Sequence, residues 1–392
     1  MLSKTLTSSK GKSNAYLFDF LPLDEEVVDE ETGVDLWEFY QKLCYSQEPP
    51  VPSLSLLRKI CDGTEYALSL RHFKIGNHLS IVLKVLQRIK TTSELDLCDN
   101  SLDYSCVAPL LDFIHNSDSL SNLNISFNPG LGTKSIITIL QEFGVNRSLE
   151  TLDISNTGCF GIGKAVSQLI SSCYLLQDLN ISGCGLKQTA IDLAQSIPNG
   201  QKLSKLNLSQ NQLHIPGKRF ATLLGQNISK SQTLQVINLS HNMITSEMAQ
   251  VFFRTIADSM IKTIDLSDNS IGDDAGRAIA LYISKSQRIR HLNISENPIL
   301  NVSINQVHLK ALSEESSKQA NAKKTAPKAP LPGVYIILNS AAKSQSLRDI
   351  TMLGIVVDRK EWNDKLAVLS NLNNRVSIIY TSQESASYVF HE

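Results

Sequence analysis

The chain has 392 residues, 42% of them apolar and 19% charged, with a formal net charge of -1. That is ordinary globular composition with ample core material, and its balanced charge excludes the strongly basic character of a non-specific nucleic-acid binder. No window offers eighteen uninterrupted apolar residues and the first sixteen residues are polar and basic, so neither a membrane-spanning helix nor a secretory signal is expected.

Residues 1–33 read as a mostly disordered polar and acidic segment that includes the run DEEVVDEE at 24–31. Structure is expected from about Val34. Leu36, Phe39, Tyr40 and Leu43 fit a short amphipathic helix, the PPVP at 49–52 breaks it, and Ser53 is placed to cap a second helix running through Cys61. Residues 34–64 would thus form a helical N-terminal cap. An open terminal strand needs such a cover, because it exposes an apolar layer and unpaired backbone groups.

From residue 65 one pattern recurs. Leu234–Ile244 (LQVINLSHNMI), Ile261–Ile271 (IKTIDLSDNSI) and Ile289–Ile299 (IRHLNISENPI) each place apolar residues and an asparagine at the same offsets. The first ladder residue of each unit falls at Leu68, Leu95, Leu123, Leu152, Leu179, Leu206, Ile237, Ile264 and Leu292, at spacings of 27 to 31. Between strands lie segments such as residues 273–286, whose Ala275, Ile279 and Ile283 recur at helical spacing. An apolar pair two residues apart is a short strand with one buried face, and a period near 28 leaves room for a helix in every unit.

The asparagine slot is filled by Asn100, Asn128, Asn211, Asn242, Asn269 and Asn297, by Thr157 in the fourth unit and by Cys184 in the fifth. A side-chain amide there can satisfy backbone groups of neighbouring turns. Beyond Leu292 the spacing fails, and the next good ladder residue, Ile350, lies 58 residues on. We read 304–317 as a helix, 318–332 as a degenerate or disordered Lys/Ala/Pro loop, and 333–345 as a helix entering the next strand, with one ladder strand lost or disguised. The repeat domain, 65–392, is expected to carry an irregular insert or degenerate repeat at 301–332 and to end in a helix at 359–371, a strand at 376–380 and a C-terminal cap over 376–392. Seven cysteines without a CxxC pair are expected as reduced, intracellular thiols.

These motifs identify the chain as a member of the ribonuclease-inhibitor-like leucine-rich-repeat superfamily. The resemblance implies an α/β solenoid, or horseshoe, with parallel strands on the concave face and helices on the convex face. On that face the spacer side chains are candidates for partner binding: Asp96, Asp99, Phe127, Asp153, His241, Asp265, Asp268 and Glu296. No lysine or arginine occurs among the spacers, so the surface should repel phosphate backbones and favour a basic protein segment. Phe127 is the one large apolar spacer and the best candidate anchor.

Gly158–Lys164 (GCFGIGK) has the spacing of a phosphate-binding loop, but Ala165 stands where a magnesium-binding hydroxyl belongs. Neither cofactor nor metal is expected, nor catalysis, because no nucleophile lies beside a base and no metal-ligand cluster is visible.

A finer resemblance is carried by residues 36–70, by NPILNVSINQVHLKAL, by LRDITMLGIVVDRKEWNDKLAVL and by the terminal YVF. Together these look like the C-terminal repeat domain of Tonsoku-like proteins. That resemblance implies a non-enzymatic nuclear scaffold of replication-fork and recombination repair that binds the methyl-methanesulfonate-sensitivity-22-like protein. The superfamily's other members make a Ran-type GTPase activator and a cytoskeletal, axonemal or centrosomal repeat protein the alternatives.

Overall fold

A computed structural model describes residues 35–51, 53–144, 148–300, 333–354 and 377–380. Eleven short strands form one sheet in chain order: β1 (Ala67–Ser69), β2 (Glu94–Asp96), β3 (Asn122–Asn124), β4 (Thr151–Asp153), β5 (Asp178–Asn180), β6 (Lys205–Asn207), β7 (Val236–Asn238), β8 (Thr263–Asp265), β9 (His291–Asn293), β10 (Asp349–Met352) and β11 (Ser377–Tyr380). Every pairing is parallel, and the ladder residues stand opposite one another, Leu68 to Leu95, Leu95 to Leu123, and so on to Leu292 with Ile350. The architecture is therefore an α/β repeat solenoid, and all nine ladder positions expected up to Leu292 occupy their strands.

Two helices precede the sheet, α1 (Leu36–Tyr45) and α2 (Leu56–Cys61). Asp35, whose carboxylate accepts from the amides of Trp37 and Glu38, caps α1. Ser53 does not cap α2: Ser55 holds that position, and its side chain makes no capping bond. Leu57, Ile60 and Cys61 of α2 are buried in the same core as Leu68 and Leu70 of the first unit.

The helices that follow each strand are α3 (Leu79–Ile89), α4 (Val107–His115), α5 (Gly132–Phe143), α6 (Gly163–Ser172), α7 (Ala190–Ser196), α8 (Gly217–Lys230), α9 (Ser246–Thr255), α10 (Gly276–Lys285) and α11 (Gly333–Lys343). In α3, Leu79, Val82, Leu83 and Leu86 are buried at offsets of three and four, which turns one stripe onto the ladder leucines. The resulting core is a single cluster from Leu36 to Met352. No unit buries its apolar stripe alone, so stability arises between neighbours.

Across the 58-residue interval between Leu292 and Ile350, β9 pairs directly with β10, Leu292 against Ile350, so the sheet carries no ladder strand between them, as the loss of a strand predicts. Helix α11 of this interval packs on α10, where a Cβ on Gly276 would come within 2.5 Å of the Gly333 Cα. Only two glycines allow the backbones to meet that closely. The expected helices at 304–317 and 359–371, the loop with Lys318, Lys323, Lys324 and Lys328, the segment 1–33 and the tail 381–392 lie outside the described residues.

Candidate functional site

The asparagines of the slot are wholly committed to the stack. Asn242 donates from Nδ2 to the carbonyls of Leu208, Leu239 and Ser240 at 2.9 to 3.0 Å, and its Oδ1 accepts from the amides of Asn211 and Leu213. Asn128 and Asn269 are bonded in the same manner, each reaching into the preceding unit. Thr157 and Cys184 do less: the Thr157 hydroxyl donates to Ile154, and the Cys184 thiol lies 3.5 Å from the same carbonyl.

The first spacer of each strand also has a local duty. Oδ1 of Asp96, Asn124, Asp153, Asn180, Asn207, Asn238, Asp265 and Asn293 accepts from the amide two residues on, at 2.9 to 3.1 Å. This Asx turn ends the strand, and Asp and Asn perform it equally well. The repeat thus constrains these positions. Substituting Asp265 by Asn is expected to leave chemical unfolding unchanged, and by Ala to cost about 1 kcal/mol, since the Ser267 amide loses its acceptor. Equal stability of the two variants would refute this role.

The second spacers, Asp99, Phe127, Asn156, Gly183, Gln210, His241, Asp268 and Glu296, all take the left-handed conformation, with φ between 51° and 66°. Asn, Asp and Gly tolerate it, whereas a bulky aromatic does so under strain. Phe127 nonetheless adopts it with 55% of its surface exposed and no place in the apolar core.

Two carboxylates meet first-unit side chains that the spacers do not reveal: Arg71 reaches Asp96 at 2.9 Å, and Asp99 bonds to Lys74 and, at 2.9 Å, to His72. Asp268 lies 2.5 Å from the neighbouring spacer His241. The hydrogen bonds from Lys74 and then His72 hold the Asp99 carboxyl below the usual carboxylate range. Asp153 accepts from the Asn180 amide at 2.8 Å, and the Glu296 carboxylate fills the space beside Gly354. All eight candidates therefore share the inner face and its rim, in two groups: Asp96, Asp99, Phe127 and Asp153 in units two to four, and His241, Asp265, Asp268 and Glu296 in units seven to nine.

A third column, the residue before each ladder position, escaped the sequence reading. It holds Glu94, Asp178, Lys205 and His291, which face the same way as the first spacer because strand residues alternate. Lys205 lies 3.2 Å from Asp178, and His291 lies 2.5 Å from Asp349. Strict period-two alternation around each leucine was the signal available.

In the glycine-rich segment Gly158–Lys164 three amides are engaged by neighbouring units: Phe160 donates to Thr133 Oγ1, Gly161 to the Gly185 carbonyl and Gly163 to Thr189 Oγ1. All seven cysteines are buried free thiols, and burial pushes Cys61 up to about 12 and Cys173 up to about 11. Cys61 and Cys173 are therefore poor nucleophiles at neutral pH. Among the described residues no three His, Cys, Asp or Glu side chains are grouped to hold a metal ion, and no helix is long and apolar enough to cross a membrane.

The repeating sheet, the amide slot and the helix in each period are those of a leucine-rich-repeat solenoid, and they resemble the ribonuclease-inhibitor-like type. The family model described as Leucine Rich repeat matches residues 230–250 and 257–280. Within that superfamily the chain resembles Tonsoku-like proteins. It is 24% identical to the Tonsoku-like protein of Bos taurus over 306 residues, covering 71% of this chain and 21% of the relative. With the Tonsoku-like protein of Mus musculus it shares 26% identity over 249 residues, covering 61% of this chain and 18% of the relative. The match therefore spans about a fifth of the length of these relatives.

Proposed function

We propose that the chain is a non-enzymatic protein–protein interaction scaffold that acts in the nucleus, in replication-fork and recombination repair, and holds the methyl-methanesulfonate-sensitivity-22-like protein. The observation that carries this reading is the continuous inner sheet. Its buried residues build the stack, while its outward columns present carboxylates and amides over many consecutive units. Repeat solenoids use such extended surfaces to grip protein partners. The low-level similarity to Tonsoku-like proteins supports the repair context. Excess carboxylate over cation on the inner columns favours a protein segment over a phosphate backbone.

The test is reconstitution from pure components. The chain and the methyl-methanesulfonate-sensitivity-22-like protein should co-elute in size-exclusion chromatography, and the tagged chain should gather at damaged replication sites. Separate elution together with exclusion from the nucleus would overturn the repair reading.

A further inference from the structure

We infer that Cys159 and Cys184 form a latent dithiol, which hydrogen peroxide closes to a disulfide joining units four and five. It does not depend on the scaffold reading, since it concerns the junction where the amide slot is interrupted.

The register of the stack brings the two thiols together. At the intact junctions Oδ1 of a slot asparagine accepts from two backbone amides of the preceding unit, one at the slot and one two residues beyond it. Asn128 takes those of Asn100 and Leu102, Asn242 those of Asn211 and Leu213, and Asn269 those of Asn242 and Ile244. Cys184 stands in the slot of unit five, and the corresponding residues of unit four are Thr157 and Cys159. A thiol therefore takes the place of the amide, directly against Cys159.

The contacts agree with that register. Cys184 Sγ lies 3.5 Å from the Ile154 carbonyl, and the Thr157 hydroxyl, which donates to the same carbonyl, lies 3.4 Å from Cys159 Sγ. The two thiols share a hydrogen bond, and both are wholly buried. Cys106 and Cys173 instead donate to the carbonyls of Gly76 and Phe143.

The pair is chemically unequal. The bond from Cys184, with the Thr157 hydroxyl beside it, holds the Cys159 thiol below the usual thiol range although burial opposes this. The bond to Cys159, and then burial, push the Cys184 thiol up. Cys159 is thus the first thiolate, and Cys184 the thiol that resolves it. The Cys159 thiolate attacks peroxide, so that an S–O bond forms and the O–O bond breaks. The departing hydroxide takes the Cys184 proton as water and leaves Cys159 a sulfenic acid. Cys184 then attacks the Cys159 sulfur, an S–S bond forms, the S–O bond breaks, and the second hydroxide recovers as water the proton that Cys159 first lost. Two thiols lose two electrons and two protons, and peroxide is reduced to two waters. Peroxide is little larger than water and reaches the pair by local opening of a junction that no slot asparagine ties. The bridge then does covalently what asparagine does elsewhere, holding unit five to unit four.

The experiment treats the folded full chain with a few equivalents of hydrogen peroxide at neutral pH, then unfolds and alkylates it and maps the cysteines by peptide mass spectrometry. The first product should be an intramolecular Cys159–Cys184 bridge, formed about tenfold faster than any other cysteine is oxidised and reversed by dithiothreitol. Amide exchange at the junction of units four and five should slow about tenfold on oxidation. Cys184→Asn restores the usual slot residue and guards against a folding artefact. That variant should form no bridge, and its exchange at the junction should be slow with or without peroxide. Cys106→Ser, in a distant unit, should form the bridge at the wild-type rate. Earlier oxidation of another cysteine overturns the proposal, as does a bridge that forms only in denaturant or junction exchange that oxidation leaves unchanged.

Discussion

Asn242→Leu is expected to lower the unfolding free energy by about 4 kcal/mol, measured by urea denaturation. Leucine shares the branched shape of asparagine and is the larger, so the loss comes chiefly from hydrogen bonding and not from a cavity. The amide of Asn242 serves three carbonyls and two backbone N–H groups, every one of them buried. An unsatisfied buried backbone group costs roughly 1–3 kcal/mol, and relaxation recovers part of the sum for five. The effect should also be local, since each unit contacts only its neighbours. Amide exchange should therefore accelerate in units six to eight and stay slow in units one and two. A loss below about 1 kcal/mol would mean that the amide slot is decorative.

Gly163→Ala comes next, with an expected loss of about 3 kcal/mol, the upper part of the range for overpacking. A Cβ on Gly163 would sit 1.9 Å from the Thr189 carbonyl oxygen and 2.6 Å from its carbon. Both are backbone atoms of the next unit, so no side chain can swing aside and units four and five must separate. This result also bears on the phosphate-loop pattern of the segment. If its glycines serve close packing, ATP with magnesium should not shift the melting temperature of the wild-type chain. A stable Gly163→Ala protein, or a nucleotide-dependent shift, would overturn the packing account.

The repeat was legible because its period is written in residues that have no alternative use. Each ladder leucine must lie inside, and each slot asparagine must answer several backbone groups, so register could be read from Leu68 to Leu292 without reference to contacts. The stretch after Leu292 was only partly legible: the spacing shows that the ladder resumes at Ile350, but the direct pairing of β9 with β10 is visible only in the sheet. The cap of α2 was misassigned because a serine near a helix start need not make the bond that defines a cap. The inner face was only half legible. The sequence shows which spacers are acidic, but Arg71, Lys74 and His72 belong to the first unit, whose slot residue is Phe73, and only folding brings them beside Asp96 and Asp99. Nor could the sequence show that Phe127 shares a left-handed column with Asp99 and Asn156.

The replacement of asparagine by Thr157 and Cys184 gives the stack an uneven stiffness. Asn128 ties unit three back to unit two, and Asn211 ties unit six back to unit five. Between them no slot asparagine crosses the two junctions that flank unit four; the Cys184 thiol approaches the Ile154 carbonyl and the Asn180 amide reaches Asp153 instead. Fewer buried backbone groups are thus answered by a slot side chain there, and amide exchange is expected to be faster at these two junctions than at those bridged by Asn128 and Asn211.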